Sequence, residues 1–264
     1  MLASPGPARV STGVCSVSFR QLDPGTIISA AAGAGLDGIE WGSDIHVPVG
    51  DIGNARAIAD ATESAGLRVL SYGSYWRAED DRFSDVLHTA AALRAARIRV
   101  WAGTTGSAET SPNDRDAIVL RLRTAATLAA DLGVEIGLEF HSGTLTDTSA
   151  STLSLVTEIG SPNLFSYWQP PLDFDDGSAL AGLDGLIRLV STVHVFSWWP
   201  GTERLPLRER SALWAAVCDR VVASELDHDL VLEFMPDDDP ELLGSEADTL
   251  REFISGAFSR RRAG

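Results

Sequence analysis

The chain contains 264 residues and carries a formal net charge of −16, from 37 acidic and 21 basic residues. All 21 basic residues are arginine, so the sequence excludes chemistry that needs lysine, such as imine formation with a carbonyl substrate or a P-loop. The acidic excess also argues against nucleic acid as a partner, because binding to phosphate backbones relies on clustered arginine and lysine.

One pattern recurs along the chain: a small-residue helix end, often with glycine, precedes a short apolar strand that ends in a polar or aromatic residue. Glycine after a helix caps it in the left-handed conformation and turns the chain back into a strand. The first strand is predicted at 13–19. Seven more strands are predicted to start near residues 36, 67, 97, 134, 164, 190 and 229.

The segments between the strands carry helix start signals. Asp23-Pro24, Ser111-Pro112 and Asp239-Pro240 each combine an N-cap residue with a proline in the first turn. Each strand and its helix together take about 30 residues, which is the length of one βα unit.

Eight such units in a chain of this length predict a single (β/α)8 TIM barrel, an α/β fold that occupies residues 1–264. We expect frayed termini at 1–10 and 258–264. A doubly wound sheet is the competing architecture, but the first strand-to-helix turn at 18–22 lacks the glycines that such sheets place there.

The sequence carries no signal for membrane insertion or export. No apolar run reaches the roughly 20 residues needed to span a bilayer, and the start of the chain lacks the apolar core of a signal peptide. We therefore expect a cytoplasmic protein without a membrane partner. Cys15 and Cys218 are too few for a disulfide framework, and we expect two free, buried thiols.

Reactive groups of a barrel lie at the carboxyl ends of its strands. Four polar side chains at the ends of different predicted strands could converge on one divalent cation. Oxygen-rich ligation with a single histidine suits Mn²⁺, Mg²⁺ or Co²⁺ better than structural zinc. The four predicted metal ligands are Glu139, Gln169, His194 and Glu233.

Each of these residues also has a simpler interpretation. A glutamate at a strand end is often solvated or caps a helix, and His194 between two valines could be a core histidine. Glu139 and Glu233, however, each follow a strongly apolar run that points them into the barrel mouth, where an unpaired carboxylate would be costly. His88 and His228 are expected at the surface.

The segment Leu138–Thr148 resembles the fifth-strand motif of the xylose isomerase-like TIM barrels, and more narrowly the sugar phosphate isomerase/epimerase group. Further matching segments follow in the expected order over essentially the whole chain. They are 38–41 with His46, then 167–171, 193–198 and 232–234. In that family Glu, Asp, His and Glu of strands five to eight hold the metal, which implies the same four ligand positions here.

The resemblance implies isomerisation or epimerisation of a keto sugar by α-proton abstraction through a metal-stabilised enediolate, with Glu139 and Glu233 exchanging the proton. We expect Mn²⁺, with Mg²⁺, Co²⁺ or Zn²⁺ as alternatives. The sixth-strand ligand departs from the family because Gln169 replaces the usual Asp and removes one negative charge. We expect weaker metal binding, a more Lewis-acidic ion or no ligand from the sixth strand, unless Asp173 or Asp175 compensates.

Further residues near the strand ends are predicted to contact a small, carbohydrate-like substrate. Aromatic side chains suit the apolar face of a sugar ring, and an arginine in the loop after the seventh strand could hold a hydroxyl or phosphate, or be a solvated charge. The predicted substrate-binding residues are Glu40, His46, Tyr72, Trp101, His141, Trp198 and Arg204.

Other functions remain open at this stage. A lyase or dehydratase on the same scaffold, acting on a keto-inositol or cleaving a C-glycoside, would begin with the same proton abstraction. A barrel that binds a sugar without turnover is kept open by Gln169. An endonuclease is disfavoured, because it needs many histidines for a zinc cluster and a basic face. The oligomeric state is not fixed, and a homodimer is one that the sequence allows.

Overall fold

Eight parallel strands close into a barrel in this computed structural model, which describes residues 8–172 and 174–263. Around the barrel the strands follow the order β1-β10-β7-β6-β5-β4-β3-β2. Their bounds are β1 Val10–Cys15, β2 Gly38–Gly42, β3 Arg68–Gly73, β4 Arg97–Val100, β5 Glu135–Leu138, β6 Leu164–Trp168, β7 Val190–Val195 and β10 His228–Leu232. The predicted (β/α)8 barrel is confirmed, and the seven later strands begin within two residues of their predicted starts.

Helices follow the strands and cover the outside of the barrel. They are α1 Pro24–Gly33, α2 Ile52–Ser64, α3 Phe83–Leu93, α4 Pro112–Asp131, α5 Ser149–Ile159, α6 Asp176–Leu186, α7 Ser211–Ser224 and α8 Leu243–Ala263. A small antiparallel hairpin, β8 Ser197–Trp198 with β9 Arg204–Leu205, extends beyond β7 and was not predicted. It forms part of the rim at the carboxyl ends of the strands.

The first strand lies earlier than the predicted 13–19. It ends at Cys15, and residues Ser16–Phe19 form a 3-10 turn. Two hydroxyls of this turn accept hydrogen bonds from backbone amides near strand ends. The Ser16 hydroxyl accepts from the Gly42 amide, and the Ser18 hydroxyl accepts from the Phe234 amide. These bonds hold the turn against the neighbouring strand ends, so residues 16–19 do not continue strand β1.

The predicted helix starts are present. Asp23 accepts a hydrogen bond from the Thr26 amide and Ser111 from the Asp114 amide, which satisfies donors that the first helical turn leaves free. Asp239 instead begins a short 3-10 turn before α8.

The two ends of the chain differ from the expectation of frayed termini. Strand β1 already begins at Val10, and helix α8 continues to Ala263, so 258–263 are helical. Arg260 and Arg261 pair there with Asp219 of α7 and with Glu225, which directly follows α7. Residues 1–7 and 264 lie outside the described residues.

Glycines inside the barrel make room for large side chains that form the floor of the mouth. A Cβ at Gly137 would lie 2.2 Å from the Tyr167 ring, and one at Gly13 would lie 2.4 Å from the Leu70 side chain. Any larger residue would displace these side chains, which fill the barrel interior. The Tyr167 side chain is thereby held in the barrel interior.

His228 was expected at the surface, but it is buried at the start of β10. Its Nε2 lies 2.7 Å from the Ser224 hydroxyl. Burial lowers the pKa of His228 to about 4, so the imidazole is neutral at neutral pH. Cys15 and Cys218 are both free and buried, as predicted. None of the described helices is both long and apolar enough to cross a membrane.

Candidate active site

A cavity of about 510 Å³ opens at the carboxyl ends of the strands. Six of the predicted site residues line it: Trp101, Glu139, His141, Gln169, Trp198 and Glu233. His194 and Glu40, both without solvent exposure, lie beneath it in the barrel. The strand ends therefore bring together most of the residues that the sequence singled out.

His194 is the centre of this arrangement. Its Nδ1 lies 3.3 Å from the Gln169 amide oxygen and 3.4 Å from a Glu233 carboxylate oxygen, while its Nε2 lies 3.3 Å from Glu40. Burial opposes a charge on the imidazole, but the carboxylates of Glu233 and Glu40 prevail and raise the pKa of His194 to about 9. The imidazole thus lies between two carboxylates, with one at each ring nitrogen.

The donor atoms around His194 fit a divalent cation. A nitrogen and two oxygens from the neighbouring strands β6, β7 and β10 face one another, and the second imidazole nitrogen contacts a carboxylate. Metal-binding histidines are usually oriented in this way. Burial and the nearby Glu139 and Glu40 raise the pKa of the Glu233 carboxyl, which is the mark of clustered negative charge that a cation would relieve.

Glu139 has a partner that sequence analysis missed. Its carboxylate contacts the guanidinium of Arg99, a buried residue of β4. The Nε of Arg99 donates to Glu40 at 2.9 Å, so one arginine joins two of the predicted site carboxylates. The signal was present in the sequence, because Arg97 and Arg99 alternate with apolar residues in a short buried strand and must share its inner face.

Glu40 supports other site residues and does not contact the cavity. Its carboxylate accepts hydrogen bonds from Ser71 at 2.6 Å, Tyr167 at 3.0 Å and the Cys15 thiol at 3.3 Å. Although burial alone would raise it, the pKa of Glu40 is lowered because Arg99 and His194 stabilise the anion. Glu40 therefore holds Arg99 and His194 in place beneath the cavity.

His141 lines the cavity. Its Nδ1 lies 2.7 Å from the Ser142 carbonyl oxygen, and a carbonyl can only accept, so Nδ1 carries the proton. In the neutral ring Nε2 is then the acceptor nitrogen. The Trp101 ring packs against His141 with ring centroids 4.3 Å apart, which holds the imidazole in place on the cavity wall.

Two other predicted substrate-binding residues, Tyr72 and His46, are not among the residues that line the cavity. The Tyr72 hydroxyl donates to the Val47 carbonyl at 2.8 Å in the core, and burial raises its pKa. His46 is held between Ser16 and the Leu22 carbonyl. The polar atoms of these two residues are hydrogen-bonded inside the protein.

Arg204 lies on the rim. It pairs with Asp238, and its guanidinium lies 5.5 Å from the centre of the Trp198 ring. Asp175 caps helix α6 by accepting from the Ser178 amide, so it does not compensate for the charge missing at Gln169. Asp173, the other residue expected to compensate, lies outside the described residues.

The fold is a TIM barrel with a polar cavity at the carboxyl ends of its strands, and comparison with known proteins identifies its family. The family model described as "Xylose isomerase-like TIM barrel" matches residues 28–171. The chain belongs to this family.

One curated relative is a 3-dehydroshikimate dehydratase of Bacillus anthracis, 31% identical over 163 residues. The match covers 57% of this chain and 58% of that protein, so the chain spans less than two thirds of the relative's length.

Solved structures share the whole fold. A probable 3-DHS dehydratase from Bacillus anthracis has a TM-score of 0.75 and 22% identity, covering 91% of this chain and 98% of that one. A 3-keto-D-glucoside 4-epimerase from E. coli has a TM-score of 0.72 and 17% identity, covering 94% and 100%. An L-ribulose 3-epimerase has a TM-score of 0.72 and 20% identity, covering 97% of each chain. At these identities the likeness shows the fold alone.

Proposed function

We propose that this protein is a divalent-metal-dependent dehydratase of a small hydroxylated keto compound. The observation that carries the proposal is the asymmetry of the cavity. His141 lines the cavity with its Nδ1 donating to the Ser142 carbonyl, which leaves Nε2 as the acceptor nitrogen of the neutral ring, whereas Glu139 is held in an ion pair with Arg99. Elimination of water needs one positioned base, while inversion of a carbon centre needs two proton carriers on opposite sides.

In this proposal Gln169, His194 and Glu233 hold the metal ion, with Glu139 as the further ligand when it is released from Arg99. Their oxygen-rich set favours Mn²⁺, and Mg²⁺ or Co²⁺ would also suit it. When bound, the ion supplies positive charge beside the substrate carbonyl oxygen. The site then carries two ligand carboxylates and a neutral amide.

His141 Nε2 takes the proton from the carbon next to the carbonyl. The electron pair of that C–H bond forms a new carbon–carbon double bond, and the C–O bond of the β-hydroxyl breaks. The departing hydroxyl takes a proton from solvent and leaves as water, and His141 returns its proton to solvent, so the reaction balances without any redox partner. Trp101 and Trp198 on the cavity wall pack against the apolar face of the substrate.

The partial match to a 3-dehydroshikimate dehydratase supports elimination, and it suggests 3-dehydroshikimate as one substrate to test beside keto-inositols and keto sugars. The proposal keeps a small-molecule, carbohydrate-like substrate and a cytoplasmic location, both first predicted from the sequence. Isomerisation or epimerisation is the second candidate, because Glu139 and Glu233 line the same cavity.

The test is incubation of the Mn²⁺-loaded protein with this panel in deuterated water, followed by NMR and ultraviolet absorption. A dehydratase gives a product that has lost water and gained a conjugated double bond. An epimerase gives a stereoisomer with deuterium at the α-carbon and no loss of water. If the panel yields neither product while Mn²⁺ binds, the proposed reaction is wrong for these substrates; failure to bind any divalent ion rejects the metal-dependent mechanism altogether.

A further inference from the structure

Cys15 lies beneath the candidate active site, at the end of strand β1. The side chain has no solvent exposure, and its thiol donates to Glu40 at 3.3 Å. Its sulfur, a ring nitrogen of His194 and a carboxylate oxygen of Glu233 all lie within 4.8 Å of one another. The three residues come from β1, β7 and β10, which are neighbours in the barrel.

The chemistry of these three atoms differs from that of the set around Gln169. Thiolate sulfur is a soft ligand that selects zinc-like ions, whereas carboxylate and amide oxygens suit Mn²⁺ and Mg²⁺. One sulfur, one nitrogen and one oxygen also match the three-ligand pattern of zinc sites that keep a fourth position open.

We propose that the barrel centre holds a second, overlapping metal site for thiophilic cations, formed by Cys15, His194 and Glu233. It shares His194 and Glu233 with the site of the proposed function, and in that respect the inference rests on it. A thiophilic ion would occupy this deeper position and exclude Mn²⁺ from the shared ligands. The site would therefore make the protein sensitive to Zn²⁺ and Cd²⁺.

Binding in this mode requires no redox change. The S–H bond of Cys15 breaks as the sulfur–metal bond forms, and the proton passes to solvent. The Cys15 thiol donates to a Glu40 carboxylate oxygen, so its sulfur carries the proton in the free protein and a thiol-binding cation displaces that proton. Glu40, which accepts the thiol hydrogen bond, also contacts His194 and would hold the imidazole toward the ion.

Two serine substitutions provide a matched pair for the test. Cys15→Ser keeps a donor for Glu40 but removes the soft ligand, and Cys218→Ser changes the other free buried thiol, which lies in helix α7. The metal-free full chain is titrated with Cd²⁺ while the ultraviolet charge-transfer band of a cadmium thiolate is followed. Mn²⁺ binding is measured separately by the electron paramagnetic resonance signal of free Mn²⁺.

Wild type and Cys218→Ser are expected to develop the band and to saturate at one equivalent of Cd²⁺. Cys15→Ser should lose the band and bind Cd²⁺ about tenfold more weakly or worse, with unchanged Mn²⁺ affinity and an unchanged circular dichroism spectrum. If wild type binds Cd²⁺ without the band, or the band persists in Cys15→Ser, the inference is overturned and the oxygen-rich site still stands. If neither ion binds wild type, the inference and the proposed function both fail.

Discussion

Arg99 and Glu40 form an ion pair at the centre of the barrel, with Arg99 Nε donating to a Glu40 oxygen at 2.9 Å and the two side chains only 3% and 0% exposed. Breaking one partner of a buried pair leaves the other charge uncompensated, which costs far more than loss of a surface pair. The pair also decides what the neighbouring Glu139 can do, since the same guanidinium contacts its carboxylate.

We predict that Arg99→Met lowers the free energy of unfolding of the metal-free protein by about 3–5 kcal/mol. Glu139 would then lose the cation that it contacts, and Glu40 would keep only His194 as a positively charged neighbour. Urea unfolding followed by circular dichroism measures the change. Arg208→Met is the control, because Arg208 pairs with Glu252 at the surface and its loss should cost no more than about 1 kcal/mol. Equal, small losses in both variants would show that the buried pair is not a structural requirement.

A second prediction concerns His141 as the base. His141→Asn should lower kcat by about 10²- to 10⁴-fold, because it removes the free nitrogen from the cavity wall, and it should leave Mn²⁺ affinity unchanged. Steady-state kinetics on the substrate found in the panel and a Mn²⁺ titration measure both. The control is His88→Asn in the exposed face of α3, which should behave as wild type. A His141→Asn enzyme with wild-type kcat would assign the base to another residue.

A third prediction concerns the neutral ligand of the sixth strand. Gln169→Asp adds a carboxylate beside His194 and should tighten Mn²⁺ binding by about tenfold, because hard cations bind more tightly as ligand charge rises. Titration calorimetry measures the dissociation constant. Gln21→Glu adds the same charge at an exposed position and should change it little. An unchanged dissociation constant in Gln169→Asp would place the ion away from the sixth strand.

The barrel could be predicted from the sequence because its signals are local. Glycines after helices and proline-containing helix starts recur along the chain, and the seven later strands begin within two residues of their predicted starts. The positions of Gln169, His194 and Glu233 follow directly, since parallel strands bring their carboxyl ends to one side of a barrel. These three residues therefore meet in the structure as the sequence indicated.

What could not be predicted depends on which face of a strand a side chain occupies. Ser71 points inward and bonds to Glu40, so its neighbour Tyr72 points outward and donates to Val47. The register between β2 and β3 shifts at Ile39/Glu40, and such irregularities leave no clear trace in the sequence. The pairing of Arg99 with Glu139 was missed for a related reason, because Arg99 had not been assigned to the inner face of its strand.

A fourth prediction concerns pH and lies outside the active site. Burial lowers the pKa of His228 in the folded protein to about 4, whereas an unfolded histidine titrates near 6.5. The unfolded chain therefore binds the extra proton first as pH falls, so the stabilising contribution is complete above about pH 6.5 and is lost progressively toward pH 4. The loss amounts to about 3 kcal/mol at most.

Urea unfolding of the metal-free protein between these pH values should show a smaller pH dependence in His228→Asn than in wild type, and no such change in His88→Asn. Parallel pH dependence in wild type and His228→Asn would mean that the imidazole does not resist protonation in the fold.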